Sequence, residues 1–101
     1  MKRWLIPFAA SAVVTSSAIA QSIGASMAYF DDRFLTNLRE SMDATADELG
    51  VDIQFEDAQG DIGRQLSQMQ NFIAQGVDVM IINPVDTAST PQMTKLATQA
   101  G

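Results

Sequence analysis

The 101-residue chain contains no cysteine and no histidine. Without thiols there is no disulfide framework. Without thiols or imidazoles there is also no zinc site of the usual kind and no Cys or Ser-His nucleophile system. Any catalysis would fall to carboxylates, hydroxyls, Tyr29 or Lys95. Positive charge is scarce as well: Lys and Arg number 6 against 12 Asp and Glu, a formal net charge of -6. Phosphate contacts need clustered Lys and Arg, so this balance argues against a nucleic-acid partner. An acidic disordered tail does not fit either, because 47% of the residues are hydrophobic and such a chain can offset its ordering entropy by burial. The length allows at most one small domain.

The little positive charge is unevenly placed. Lys2 and Arg3 precede Trp4 to Ala18, a stretch without charge that closes on Ala18-Ile19-Ala20 before Gln21. A basic start, an apolar middle and small residues at the first and third places of the closing triplet describe a secretory signal peptide cleaved after Ala20. A membrane span needs about 20 strongly apolar residues, and Pro7, Ser11, Thr15, Ser16 and Ser17 dilute this one. Residues 1–20 are therefore expected to be an export signal and 21–101 the domain. In that domain Arg33, Arg39, Arg64 and Lys95 face 12 acidic residues, a net charge of -8.

From Ser22 onward a strand-then-helix unit recurs. Ile23 to Ala28 is a short apolar run suited to a buried strand. Asp31 and Asp32 supply cap chemistry for a helix whose inward face carries Phe34, Leu35, Leu38, Met42, Ala46 and Leu49 and which stops at Gly50. Val51, Ile53 and Phe55 alternate with polar neighbours as a half-buried second strand, and Gly60-Asp61 opens a helix with Ile62, Leu66, Met69, Phe72 and Ile73 inward, ended by Gly76. Val77 to Ile82 is the third strand, stopped by Asn83-Pro84. Thr90 as cap with Pro91 behind it starts a last helix, burying Met93, Leu96, Ala97 and Ala100. The fold class is α/β, a three-layer parallel sheet in the order 2-1-3. Three parallel strands leave both edges bare, and 81 residues lie below the usual domain size of about 100–150. Residues 21–101 are therefore expected to be the start of a longer polypeptide.

In an open parallel sheet, ligands bind outside the carboxyl ends of the strands where the strand order reverses. That point falls between the ends of strands 1 and 3, where Tyr29, Phe30, Asp31, Asp32, Arg33 and Phe34 meet Asn83, Pro84, Val85 and Asp86. Aromatic faces beside carboxylates and an amide suit a neutral polyhydroxylated ligand: rings pack on C–H faces while Asp and Asn orient hydroxyls. A nucleotide does not suit it, since the turn lacks a glycine-rich phosphate fingerprint and offers two carboxylates instead. Each residue also has a plain structural reading. Asp31 reads as a cap and Asp32 as either cap or ligand contact. Phe34 reads as core packing with Leu38, Asn83 as a turn signal, and Tyr29 as cover for the sheet edge. Asp61 is a cap, Asp86 a turn or cap residue, and the scattered methionines are core filling. Asp31 and Asp32, adjacent in sequence, do not face each other across a bond as a glycosidase pair must.

At these residues the sequence resembles a known family. Ile23-Gly24-Ala25-Ser26-Met27-Ala28-Tyr29-Phe30-Asp31-Asp32-Arg33-Phe34-Leu35-Thr36, with Val79-Met80-Ile81-Ile82-Asn83-Pro84-Val85-Asp86 further on, is similar to the periplasmic sugar-binding proteins of ABC importers. Within that ribose, galactose and inositol group it looks most like the inositol and rhizopine binders. The resemblance implies a two-lobed type I periplasmic binding protein of which residues 21–101 are an incomplete N-terminal lobe. The next strand, the hinge and the C-terminal lobe would be missing. It also implies that Asp32 accepts hydrogen bonds from ligand hydroxyls, that Phe34 stacks on the ring, that Asn83 bonds another hydroxyl, and that Tyr29 and Phe30 line the cleft. The implied partners are a sugar or cyclitol, the membrane permease of an ABC importer and, as a further candidate, a chemoreceptor. No cofactor, metal or catalytic residue is implied, and the location is the periplasm. The competing readings are an exported carbohydrate-processing enzyme, for which no acid/base pair is in evidence, and a sugar-sensing regulator domain. Against the regulator stands the export signal where a basic DNA-binding headpiece would be.

Overall fold

Small residues in β1 decide how the layers pack. The computed structural model describes residues 21–101; the export signal expected over 1–20 lies outside them. The elements are β1 (Ser22–Met27), α1 (Arg33–Leu49), β2 (Asp52–Asp57), α2 (Ile62–Gln75), β3 (Val79–Ile82), a 3-10 turn (Thr87–Ser89) and α3 (Thr90–Ala100). All pairings are parallel and the order is β2-β1-β3, as the alternation of strand and helix predicts. Register pairs Ile23 with Ile53 and Val79, and Ala25 with Phe55 and Ile81. Because side chains alternate along a strand, these residues share one face, which α1 covers. Gly24, Ser26, Met80 and Ile82 share the other, beneath α2 and α3.

On that second face the ring of Phe72 lies directly on Gly24. A Cβ at Gly24 would sit 2.5–2.7 Å from the ring atoms, closer than carbon atoms approach without repulsion. Phe72 and Met69 are fully buried there and Met93 brings α3 onto the same layer, while Met27, also fully buried, falls on the first face by the alternation. Gly24→Ala is expected to destabilise the fold by about 1–3 kcal/mol, the usual range for overpacking. A urea midpoint indistinguishable from wild type would contradict this contact.

The helix ends follow their sequence signals with a few corrections. Asp61 caps α2 by accepting from the Arg64 amide at 2.9 Å. Gly50 and Gly76 close α1 and α2 at φ 70° and 77°, where only glycine escapes a steric penalty. Asp31, expected as a cap, is not one: α1 begins at Arg33, so the cap position is Asp32. Thr90 is not the cap of α3 either. Asp86 caps a 3-10 turn through the Ala88 amide at 2.9 Å, and that turn leads directly into α3. Strand β3 is shorter than expected because Val77 is drawn into the end of α2, its N–H donating to the Phe72 carbonyl at 3.2 Å.

The inward face expected for α1 is only partly inward. Ala46 is buried, whereas Phe34, Leu38 and Leu49 are exposed. The helix stands off the sheet over a groove of about 250 Å³ lined by Ile23, Leu38, Met42, Leu49, Ile53 and Ile81, among others. Ala100, expected inside α3, is exposed. Among the described residues no helix is long and apolar enough to cross a membrane.

Candidate functional site

The carboxyl ends of all three strands are tied together by hydrogen bonds, and the sequence-predicted residues hang on that frame. After β1, the Ala28 N–H donates to Asn83 Oδ1 at 2.9 Å, and the Asn83 N–H donates to the Ser26 carbonyl at 2.9 Å. The loops after β1 and β3 are thereby joined at the point where strand order reverses. The loop after β2 is joined too: the Ala58 N–H donates to the Met27 carbonyl at 2.8 Å and the Gly60 N–H to the Ala28 carbonyl at 2.9 Å. No strand end is free to move by itself.

Asp32 occupies the N-cap of α1 with extended backbone (φ -74°, ψ 132°) and accepts from the Leu35 N–H through Oδ1 at 2.9 Å. The side chain is exposed, and its Oδ2 has no protein donor among the described residues. One carboxylate oxygen thus holds the helix while the other is not engaged by it. Of the two readings the sequence offers for Asp32, the structure shows the cap. Phe34, on the first turn of α1, is 72% exposed. It is not packed against the core as its helical spacing with Leu38 suggests, and its ring is an exposed apolar face two residues after Asp32.

Phe30 is held from two sides. Its carbonyl accepts from the Thr36 hydroxyl at 2.6 Å and from Arg39 Nη1 at 3.3 Å, and the Arg39 guanidinium sits 4.0 Å from the ring centroid. This cation–π pair and the two hydrogen bonds fix the loop that leads into Asp32. Tyr29 leans the other way, over the turn between β2 and α2: a Cβ on Gly60 would lie 2.5 Å from its hydroxyl oxygen. Its ring covers that turn, on the β2 side of the sheet and away from Asn83.

Asn83 has a double identity. Its Oδ1 is committed to Ala28, so part of its role is to weld two loops. Its Nδ2 has no partner among the described residues. Sequence reasoning missed the group beneath it. Gln65 and Gln68, both polar and on α2, reach the strand ends from below. The only signal in the sequence was a polar residue at 65, placed to share the inward face with Met69 and Phe72.

Among the described residues no cluster of carboxylates is arranged to hold a metal ion. The apolar groove under α1 is a poor alternative for a hydroxylated ligand, since only Ser41 and Thr45 in its lining carry side-chain hydrogen-bonding groups. The strand ends combine exposed aromatic area, a half-engaged carboxylate and an amide nitrogen without a partner among the described residues. Residues 23–101 match the model of a periplasmic binding protein domain. A protein of Rhizobium meliloti assigned as a rhizopine binder is 54% identical over 102 residues, covering 100% of this chain and 33% of that relative. The ribose import binding protein of Bacillus subtilis is 30% identical over 79% of this chain and 26% of its own length. The crystal structure of an ABC transporter solute binding protein from Bacillus halodurans with bound myo-inositol superposes with a TM-score of 0.73 at 36% identity, covering 80% of this chain and 28% of that one. The chain thus spans about a third or less of these relatives. With the sheet order, the tied strand ends and the family match in agreement, the chain belongs to the periplasmic binding protein domain family.

Proposed function

We propose that these residues form part of the substrate-binding component of an ABC importer that captures a cyclitol or monosaccharide in the periplasm and delivers it to a membrane permease. The observation that carries this reading is the pairing of a free carboxylate oxygen on Asp32 with the exposed Phe34 ring, on a loop welded to Asn83. A carboxylate and an amide orient hydroxyls while a ring covers a C–H face, the usual division of labour in a sugar site. The rhizopine and myo-inositol relatives favour a cyclitol over ribose. In this reading residues 1–20 direct export, residues 21–101 contribute to one lobe, and a second lobe closes over the ligand from the opposite side.

The test is calorimetric titration of myo-inositol, ribose and galactose into the protein carrying both lobes. Saturable binding with myo-inositol preferred is expected. A preference for ribose would overturn the cyclitol assignment, and no heat with any of them would reject the binding role.

A further inference from the structure

Beneath the strand ends lies a closed polar circuit. Gln65 is fully buried, at 0% exposure, on a helix face where an aliphatic side chain would be the default. Every polar atom of its amide is used. Nε2 donates to Ser26 Oγ at 3.1 Å and to the Asn83 carbonyl at 2.9 Å, while Oε1 accepts from the Val85 N–H at 2.9 Å. The Ser26 hydroxyl in turn donates to Gln68 Oε1 at 2.7 Å, and Gln68 Nε2 donates to the Asp57 carbonyl at 2.9 Å. A buried amide with all its bonds made is tolerated; one with a missing partner is costly.

The placement of these bonds is specific. Gln65 grips the segment Asn83-Pro84-Val85 on both sides of Pro84, a residue with no N–H of its own to anchor the turn. Asn83 is consequently held at its N–H by Ser26, at its carbonyl by Gln65 and at Oδ1 by Ala28. Among the described residues only Nδ2 has no partner, and the other three bonds restrict where it can point.

We propose that Gln65 is a positioning residue for ligand capture, acting through Asn83 by fixing the orientation in which Nδ2 meets a ligand hydroxyl. This rests on the sugar-binding reading above. In the protein carrying both lobes, Gln65→Met keeps the volume and removes all three bonds. It is expected to weaken myo-inositol binding about tenfold, the equivalent of one hydrogen bond misplaced. In an Asn83→Ala background the same change should have no further effect, because the group it positions is gone. In ligand-free protein, Gln65→Met should also speed hydrogen exchange at the Ala28 amide, which Asn83 Oδ1 protects, more than at amides of α1.

Equal affinity losses in both backgrounds would show that Gln65 acts on stability alone and would overturn the proposal, as would an unchanged affinity of Gln65→Met. If Gln65→Met does not fold, Gln65→Glu, which keeps an acceptor for Val85, replaces it in the same cycle. Failure of the wild type to bind any cyclitol or sugar would instead sink the functional reading. The exchange rate at Ala28 then decides separately whether Gln65 holds Asn83: acceleration supports that link and an unchanged rate ends it.

Discussion

Phe72→Ala is expected to remove about 3–5 kcal/mol of stability, the range for truncating a buried aromatic. The ring is 1% exposed and lies on Gly24 in the central strand, so the residue beneath it has no side chain to fill the space it leaves. Domains carry roughly 0.05–0.15 kcal/mol per residue, so the loss takes a large share of what a lobe this small has. A thermal melt followed by circular dichroism reads it directly. Since about 1 kcal/mol shifts Tm by roughly 4–8 °C in domains of this size, a drop of under about 5 °C would refute the keystone role of the ring. The pair can also be tested together. Phe72→Ala removes the ring atoms that a Cβ at position 24 would strike, so Gly24→Ala should cost less in that background than alone.

The second large effect concerns Asp32. In the protein carrying both lobes, Asp32→Ala is expected to weaken cyclitol binding by about 1.5–3 kcal/mol, the range for a hydrogen bond to a charged group. It also removes the α1 cap, at a cost of about 0.5–2 kcal/mol in stability. The two losses can be separated because Ser caps as well as Asp. Asp32→Ser should keep the melting temperature of the wild type while losing most of the affinity lost by Asp32→Ala. Calorimetry and melting on the three proteins decide the matter. If Asp32→Ser binds as tightly as wild type, the carboxylate is a cap and nothing more. If it melts as low as Asp32→Ala, the hydrogen bond to Leu35 does not hold α1.

Much of this was legible in the sequence because the signals were local. The alternation of apolar runs with amphipathic stretches gives the three strands and three helices, and Gly50, Gly76 and Asp61 mark ends that depend only on neighbouring residues. The 2-1-3 order follows from parallel connection rules rather than from any residue. What escaped the sequence was tertiary. Helical spacing put Phe34 and Leu49 in the core, but their burial depends on where the ends of α1 lie relative to a sheet only three strands wide. Thr90-Pro91 does open α3, but the 3-10 turn that Asp86 caps just ahead of it was not legible. Gln65 was invisible as a site residue because its partners are 39, 18 and 20 positions away, and no spacing rule connects them. Asp32, Phe34 and Asn83 follow the strand ends expected for them, but the sequence could not show that one side-chain oxygen each of Asp32 and Asn83 is committed to the fold.

That division bears on how such a site can diversify. The helix cap at position 32 is served about equally well by Asp, Asn and Ser, and nearly so by Thr. A gene encoding this lobe can therefore exchange the group at position 32 without disturbing α1. Position 83 has no such latitude, because its Oδ1 must keep the Ala28 amide satisfied. On the proposed reading, change in ligand preference would be channelled toward the first turn of α1, with the loop after β3 as the fixed point about which it occurs.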